Sequence, residues 1–156
     1  MNKSTLLKLL LMISLVVSVE TLSAASYIKV DSSSAVKALL IDASNAYKRG
    51  IQETDPVKKN HDLEQAAASL ERALRINPRQ PTLWHNLAGV RLTQGDWVRA
   101  ANLATNSNMH AGNDVQYYQL RIRNWMLITL ACEGMHDMTC AREARNRAQN
   151  LAQALP

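Results

Sequence analysis

Residues 84–104, WHNLAGVRLTQGDWVRAANLA, leave the chain few ways to fold. Trp84, Leu87 and Ala88 lie at the three- and four-residue intervals of one helix face, and Ala100 resumes the pattern after a break at Gln94-Gly95-Asp96. Gly95 supplies the backbone freedom that a tight turn between helices requires. Ala88 and Ala100 are small enough for the two helices to approach closely. The stretch predicts a helical hairpin closed by alanine contacts.

The same grammar runs through most of the chain. Serines at 32–34 precede Val36, Leu39, Leu40, Ala43 and Tyr47, a first helical stripe. Pro56 and a charge cluster make IQETDPVKKNHD (51–62) read as a loop. Leu63, Ala66, Ala67, Leu70, Ala73 and Leu74 form the next stripe, ended by Asn77 and Pro78. Thr82 is placed to cap a helix from Leu83 to Gln94. An alanine-rich helix follows from Asp96 to Asn108, and MHAGND breaks it. A helix over 114–133 holds Val115, Tyr118, Ile122, Trp125 and Leu130, and a last one covers 139–153. No alternating strand pattern occurs, and the chain has no phenylalanine and only five glycines. The prediction is all-α: six helices in three hairpins.

Trp84, Leu87-Ala88, Gly95-Asp96 and Ala100, with Trp84 and Ala100 sixteen residues apart, resemble a tetratricopeptide repeat. The match departs at Arg91, where the family favours tyrosine, and at Gly112, where it has proline. Ala66, Leu70, Ala73 and Pro78 keep the second half of a preceding repeat. Its first half (Leu40, Ala43, Ser44, Tyr47) fits if about ten extra residues sit in the 50–61 loop. Trp125, Ile128, Thr129, Asp137 and Ala141 carry a final repeat, with His136-Asp137 replacing Gly-Asp. The resemblance covers residues 35–154 and implies a short right-handed solenoid with protein partners.

In that family the first helix of each hairpin lines a groove for peptide segments. Carried over, the groove positions are Asn45 and Lys48, then His85, Gly89 and Leu92, then Arg123 and Leu130. Some members grip a terminal carboxylate with two asparagines and three basic residues. Asn45, Asn86 and Arg123 fall on that pattern, but Ile41 and Leu127 stand where basic residues are needed, so no such clamp is expected. Trp84, Trp97 and Trp125 lie on apolar stripes or turns, which makes them packing residues.

The start of the chain reads as an address. Lys3 and Lys8 precede the apolar run LLLMISLVVSV (9–19), and small residues follow at Ser23, Ala24 and Ala25, the three-part pattern of a secretory signal. Eleven apolar residues fall short of the roughly 20 that span a bilayer. The expectation is cleavage near Ala25, a linker over 26–34, a domain over 35–154 and a periplasmic or secreted location. Without Lys3, Lys8 and Glu20 the chain keeps 16 basic and 12 acidic residues. An exported chain does not normally meet chromosomal nucleic acid. The +4 balance instead favours acidic envelope surfaces or protein partners of the cell envelope.

CEGMHDMTC (132–140) crowds two cysteines, two methionines and a histidine. On one continuous helix Cys132, His136 and Cys140 would share a face, and a soft-metal or redox protein is the alternative reading. Gly134 and the repeat register instead put a turn between the cysteines. Two cysteines in an exported chain then favour a disulfide. No phosphate loop appears, and His61, His85, His110 and His136 do not pair with carboxylates at a catalytic spacing. The reading is an interaction scaffold rather than an enzyme, with no cofactor and no metal.

Overall fold

The computed structural model describes residues 34–154. Over that span the chain forms α1 (Ser34–Gln52), α2 (Pro56–Ile76), α3 (Pro81–Thr93), α4 (Trp97–Ala111), a 3-10 turn (Val115–Tyr117), α5 (Tyr118–Gly134) and α6 (Met138–Gln153). The signal-peptide and linker assignments up to residue 33 lie outside the described residues. Successive helices pair as antiparallel hairpins, α1–α2, α3–α4 and α5–α6, and α4 packs on α5 to join the second hairpin to the third. The result is an all-α helical-repeat solenoid.

Two cores share the middle hairpin. Val36, Leu40, Ala43, Leu63, Leu70 and Leu74 from the first hairpin meet Leu83, Leu87 and Val90 of α3. Ala88 and Ala100, both fully buried, belong to a second core with Ala104, Leu127, Ile128, Ala131 and Ala141. Helix α3 therefore buries one face against the hairpin before it and another against the core behind it.

The expected loop over 51–62 is corrected by the structure. Only Glu53, Thr54 and Asp55 interrupt the helices. Pro56 occupies the first turn of α2, where its missing N–H costs nothing, and Asp55 caps by accepting from the Val57 and Lys58 amides. The extra residues of this repeat lengthen the helices instead of the loop. Pro81 likewise starts α3, so Thr82 lies inside the helix, buried, and not at its cap. Helix α4 runs on through Met109, His110 and Ala111 to stop at Gly112. His61 and His110, expected in loops, are both helical.

The two later hairpin turns are built alike. Gly95 and His136 both have positive φ, 77° and 59°. The next amide donates five residues back in each, Asp96 to the Arg91 carbonyl and Asp137 to the Cys132 carbonyl. Asp96 then caps α4 through the Arg99 amide, and Asp137 caps α6 through the Cys140 amide. His136-Asp137 thus occupies the place of Gly95-Asp96.

Candidate functional site

Five of the seven expected groove positions lie on α3 and α5, two helices that touch. His85, Gly89 and Leu92 follow one another at i, i+4 and i+7 along α3, each half-buried. His85 Nδ1 lies 2.7 Å from Asn124 Oδ1 on α5. One residue earlier, Arg123 is close enough for its charge to act on the His85 ring. Further along α5, Met126 and Leu130 expose about half their surface, at 47% and 52%. On α3, Gly89 has no atom within 4 Å of where a Cβ would stand, so the surface is open at that position.

The other two positions lie on α1. Lys48 is exposed. Asn45 lines a polar crevice of about 630 Å3 between α1 and α2, with Asp42, Arg49, Gln65, Arg72 and Arg75. Of the two positions that depart from the carboxylate-gripping pattern, Ile41 is exposed and Leu127 is buried in the second core.

His85 does more than line a surface. Burial pushes its pKa below the ordinary histidine range; the bond to Asn124 opposes that shift and the Arg123 charge adds to it. Asn124 itself is completely buried, and its amide donates to Ser107 Oγ at 2.8 Å and to Asn108 Oδ1 at 2.9 Å. Ser107, also fully buried, donates to the Pro81 carbonyl at 2.8 Å. A polar chain thus runs from α3 through α5 to α4 and back. Its signal in the sequence is Asn124 midway between Leu120 and Ile128, a polar residue on an apolar stripe.

The three tryptophans have structural partners. Trp84 Nε1 donates to the Pro78 carbonyl at 2.8 Å, and its ring stacks on His110 at 5.6 Å. Trp97 covers Gly134, whose missing Cβ would fall 2.5 Å from the indole. The Arg147 guanidinium lies 4.7 Å from the centre of the Trp125 ring. Arg91, in the family's tyrosine position, is buried and pairs with Glu64 at 2.8 Å and Glu71 at 3.0 Å on α2.

Cys132 ends on α5 and Cys140 begins on α6, with Cα atoms 5.7 Å apart and sulfurs at disulfide distance. The turn between them prevents Cys132, His136 and Cys140 from sharing a helix face. Among the described residues no group of three or more His, Cys, Asp or Glu side chains is arranged to hold a metal ion. No described helix is long and apolar enough to cross a membrane.

Antiparallel hairpins, alanine contacts and two matching turns define a helical-repeat protein. The tetratricopeptide repeat family model matches residues 59–121. Among solved structures, the globular C-terminal domain of LpoP from P. aeruginosa is 35% identical; the match covers 76% of this chain and 98% of that one, with a TM-score of 0.60. The N-terminal domain of stress-induced protein-1 (STI-1) from C. elegans is 17% identical, covers 77% and 88%, and has a TM-score of 0.56, a likeness of fold alone. No curated protein matches the sequence. The chain belongs to the tetratricopeptide repeat family, in company with the LpoP C-terminal domain, and is a protein–protein interaction scaffold by type.

Proposed function

We propose that this protein is an exported scaffold of the cell envelope that holds an extended segment of a partner protein along α1, α3 and α5. The observation that carries the reading is the exposed pair Met126 and Leu130 on α5, a helix that packs on α3, where the Cβ position of Gly89 is open. Exposed apolar side chains suit the side chains of a docked segment. Exposed Lys48 places positive charge on α1, which favours a segment that carries acidic residues toward that end. Export rests on the charged start, the short apolar run and the small residues before Ser26. In that compartment Cys132 and Cys140 are joined as a disulfide.

The test is capture from envelope extract with the parent, Lys48→Glu and Leu130→Glu proteins. Both changed positions are exposed, so the helices and the melting temperature stay as they are. His85 is unsuitable for this purpose because its ring is hydrogen-bonded to buried Asn124. The expected result is loss of the same partner from both variants. Equal recovery from all three proteins removes the groove reading.

A further inference from the structure

The polar chain beneath the groove decides where the protons sit. The Pro81 carbonyl can only accept, so the single hydroxyl proton of Ser107 points to it across 2.8 Å. Ser107 Oγ must then accept from Asn124, which identifies the atom 2.8 Å away as the amide nitrogen. The second amide proton goes to Asn108 Oδ1 at 2.9 Å. Asn124 therefore turns its carbonyl oxygen toward His85, and at 2.7 Å the ring nitrogen Nδ1 must be the donor. Exchanging the Asn124 oxygen and nitrogen would set two acceptors against each other at Ser107.

The other ring nitrogen has a different situation. His85 Nε2 has no hydrogen-bond partner among the described residues, and it is not among their buried unpartnered polar atoms, where Asn108 Nδ2 stands alone. It keeps contact with the surface on the helix face that also carries Gly89 and Leu92. We infer that His85 is locked as its Nδ1–H tautomer and offers Nε2 to the groove as a fixed hydrogen-bond acceptor, so that a docked segment presents an N–H or O–H donor, and not a carboxylate, at this point. The inference rests on the proposed groove for its ligand, but the tautomer stands on the network alone. Burial and the neighbouring Arg123 charge keep the ring neutral near pH 7, in line with this assignment. Acidic side chains of the segment then belong at its ends, toward Lys48, with a donor at its middle.

The experiment is a long-range proton–nitrogen correlation spectrum of the 15N-labelled protein at neutral pH. His85 is expected to show a protonated Nδ1 and a bare Nε2. A proton on Nε2 with none on Nδ1 overturns the inference. Ser107→Ala removes the hydroxyl that orients Asn124, and a second tautomer population should appear while the fold persists; an unchanged single Nδ1–H form in this variant also overturns it. N-methylacetamide, an N–H donor, and acetate, an acceptor only, are the probes for the groove side. The Nε2 resonance of His85 should move with N-methylacetamide more than that of exposed His61, and should not respond to acetate. A response to acetate, or to neither probe, defeats the donor rule. Failure of the groove itself reads out separately, as equal partner capture by the Lys48→Glu and Leu130→Glu proteins with the parent spectrum intact.

Discussion

Single residues in this protein are constrained by contacts that their chemical type does not announce. Gly134 is helical and has no need of glycine's backbone freedom, yet a Cβ there would overlap the Trp97 ring at 2.5 Å. Gly134→Ala should therefore cost about 1–3 kcal/mol through overpacking. Gly89 is helical too, but its Cβ position is empty. Gly89→Ala should stabilise the protein by about 0.5–1 kcal/mol, since glycine weakens a helix interior. Urea unfolding of the two variants beside the parent reads both, and shifts of the same sign would contradict the packing described. His85 adds a dependence on pH. Its pKa is lower in the fold than in the unfolded chain, where it is about 6.5. As pH falls below that value the unfolded state takes up the proton first, so stability is held above it and lost as pH falls toward the folded pKa. A series of unfolding curves for the parent and His85→Gln should diverge in this window, the parent losing more as the solution is acidified.

At the scale of the helix and its turn, the third hairpin carries a strain that the second avoids. His136 sits at φ 59°, a left-handed conformation that costs a non-glycine residue about 1–2 kcal/mol. Gly95 fills the equivalent place at φ 77° without that penalty. His136→Gly should stabilise by about 0.5–1 kcal/mol, the relief being partly offset by the greater freedom of glycine in the unfolded chain. Asp137→Ala should cost about 0.5–2 kcal/mol by removing the cap on the Cys140 amide. Thermal melting measures both. The cysteine pair closes the same turn. A disulfide across eight residues restrains the unfolded chain by about 2.5 kcal/mol in the chain-entropy account. Reduction should therefore lower the melting temperature modestly and speed amide exchange in α6 before the other helices.

Across the whole molecule, stability depends on hairpins resting on one another. Helix α3 is the joint, with Leu83, Leu87 and Val90 in the first core and Ala88 in the second. Ala100→Leu should force α3 and α4 apart and cost about 1–3 kcal/mol, detected as a fall in melting temperature. The polar links run the same way. Arg91 ties α3 to Glu64 and Glu71 on α2, and the Tyr47 hydroxyl meets Thr93 Oγ1 at 3.0 Å between α1 and α3. The proposed export is tested at this scale as well, because it concerns the whole chain. N-terminal sequencing of the envelope form should begin within two residues of Ser26, and recovery of intact Met1 from the cytosol would remove the envelope from the proposed function.

Helix count, hairpin pairing and the repeat register were legible in residue order, because each depends on spacing within a few turns. Trp84, Ala88, Gly95-Asp96 and Ala100 define one hairpin locally, and His136-Asp137 could be aligned to it by position alone. The lengths of α1 and α2 were not legible. Proline with a preceding aspartate reads as a break, and here the pair starts a helix, with Asp55 capping the Val57 and Lys58 amides. The candidate site was legible as positions and not as chemistry. His85, Gly89, Leu92, Arg123 and Leu130 follow from the repeat, whereas Met126 emerges only from which face of α5 is left uncovered. The tautomer of His85 depends on Asn124, Ser107 and Pro81, which lie 39, 22 and 4 residues away in the chain. Hydrogen bonds among buried groups are satisfied across helices, so residue order determined the scaffold and only the packing of α3, α4 and α5 decided what its surface offers.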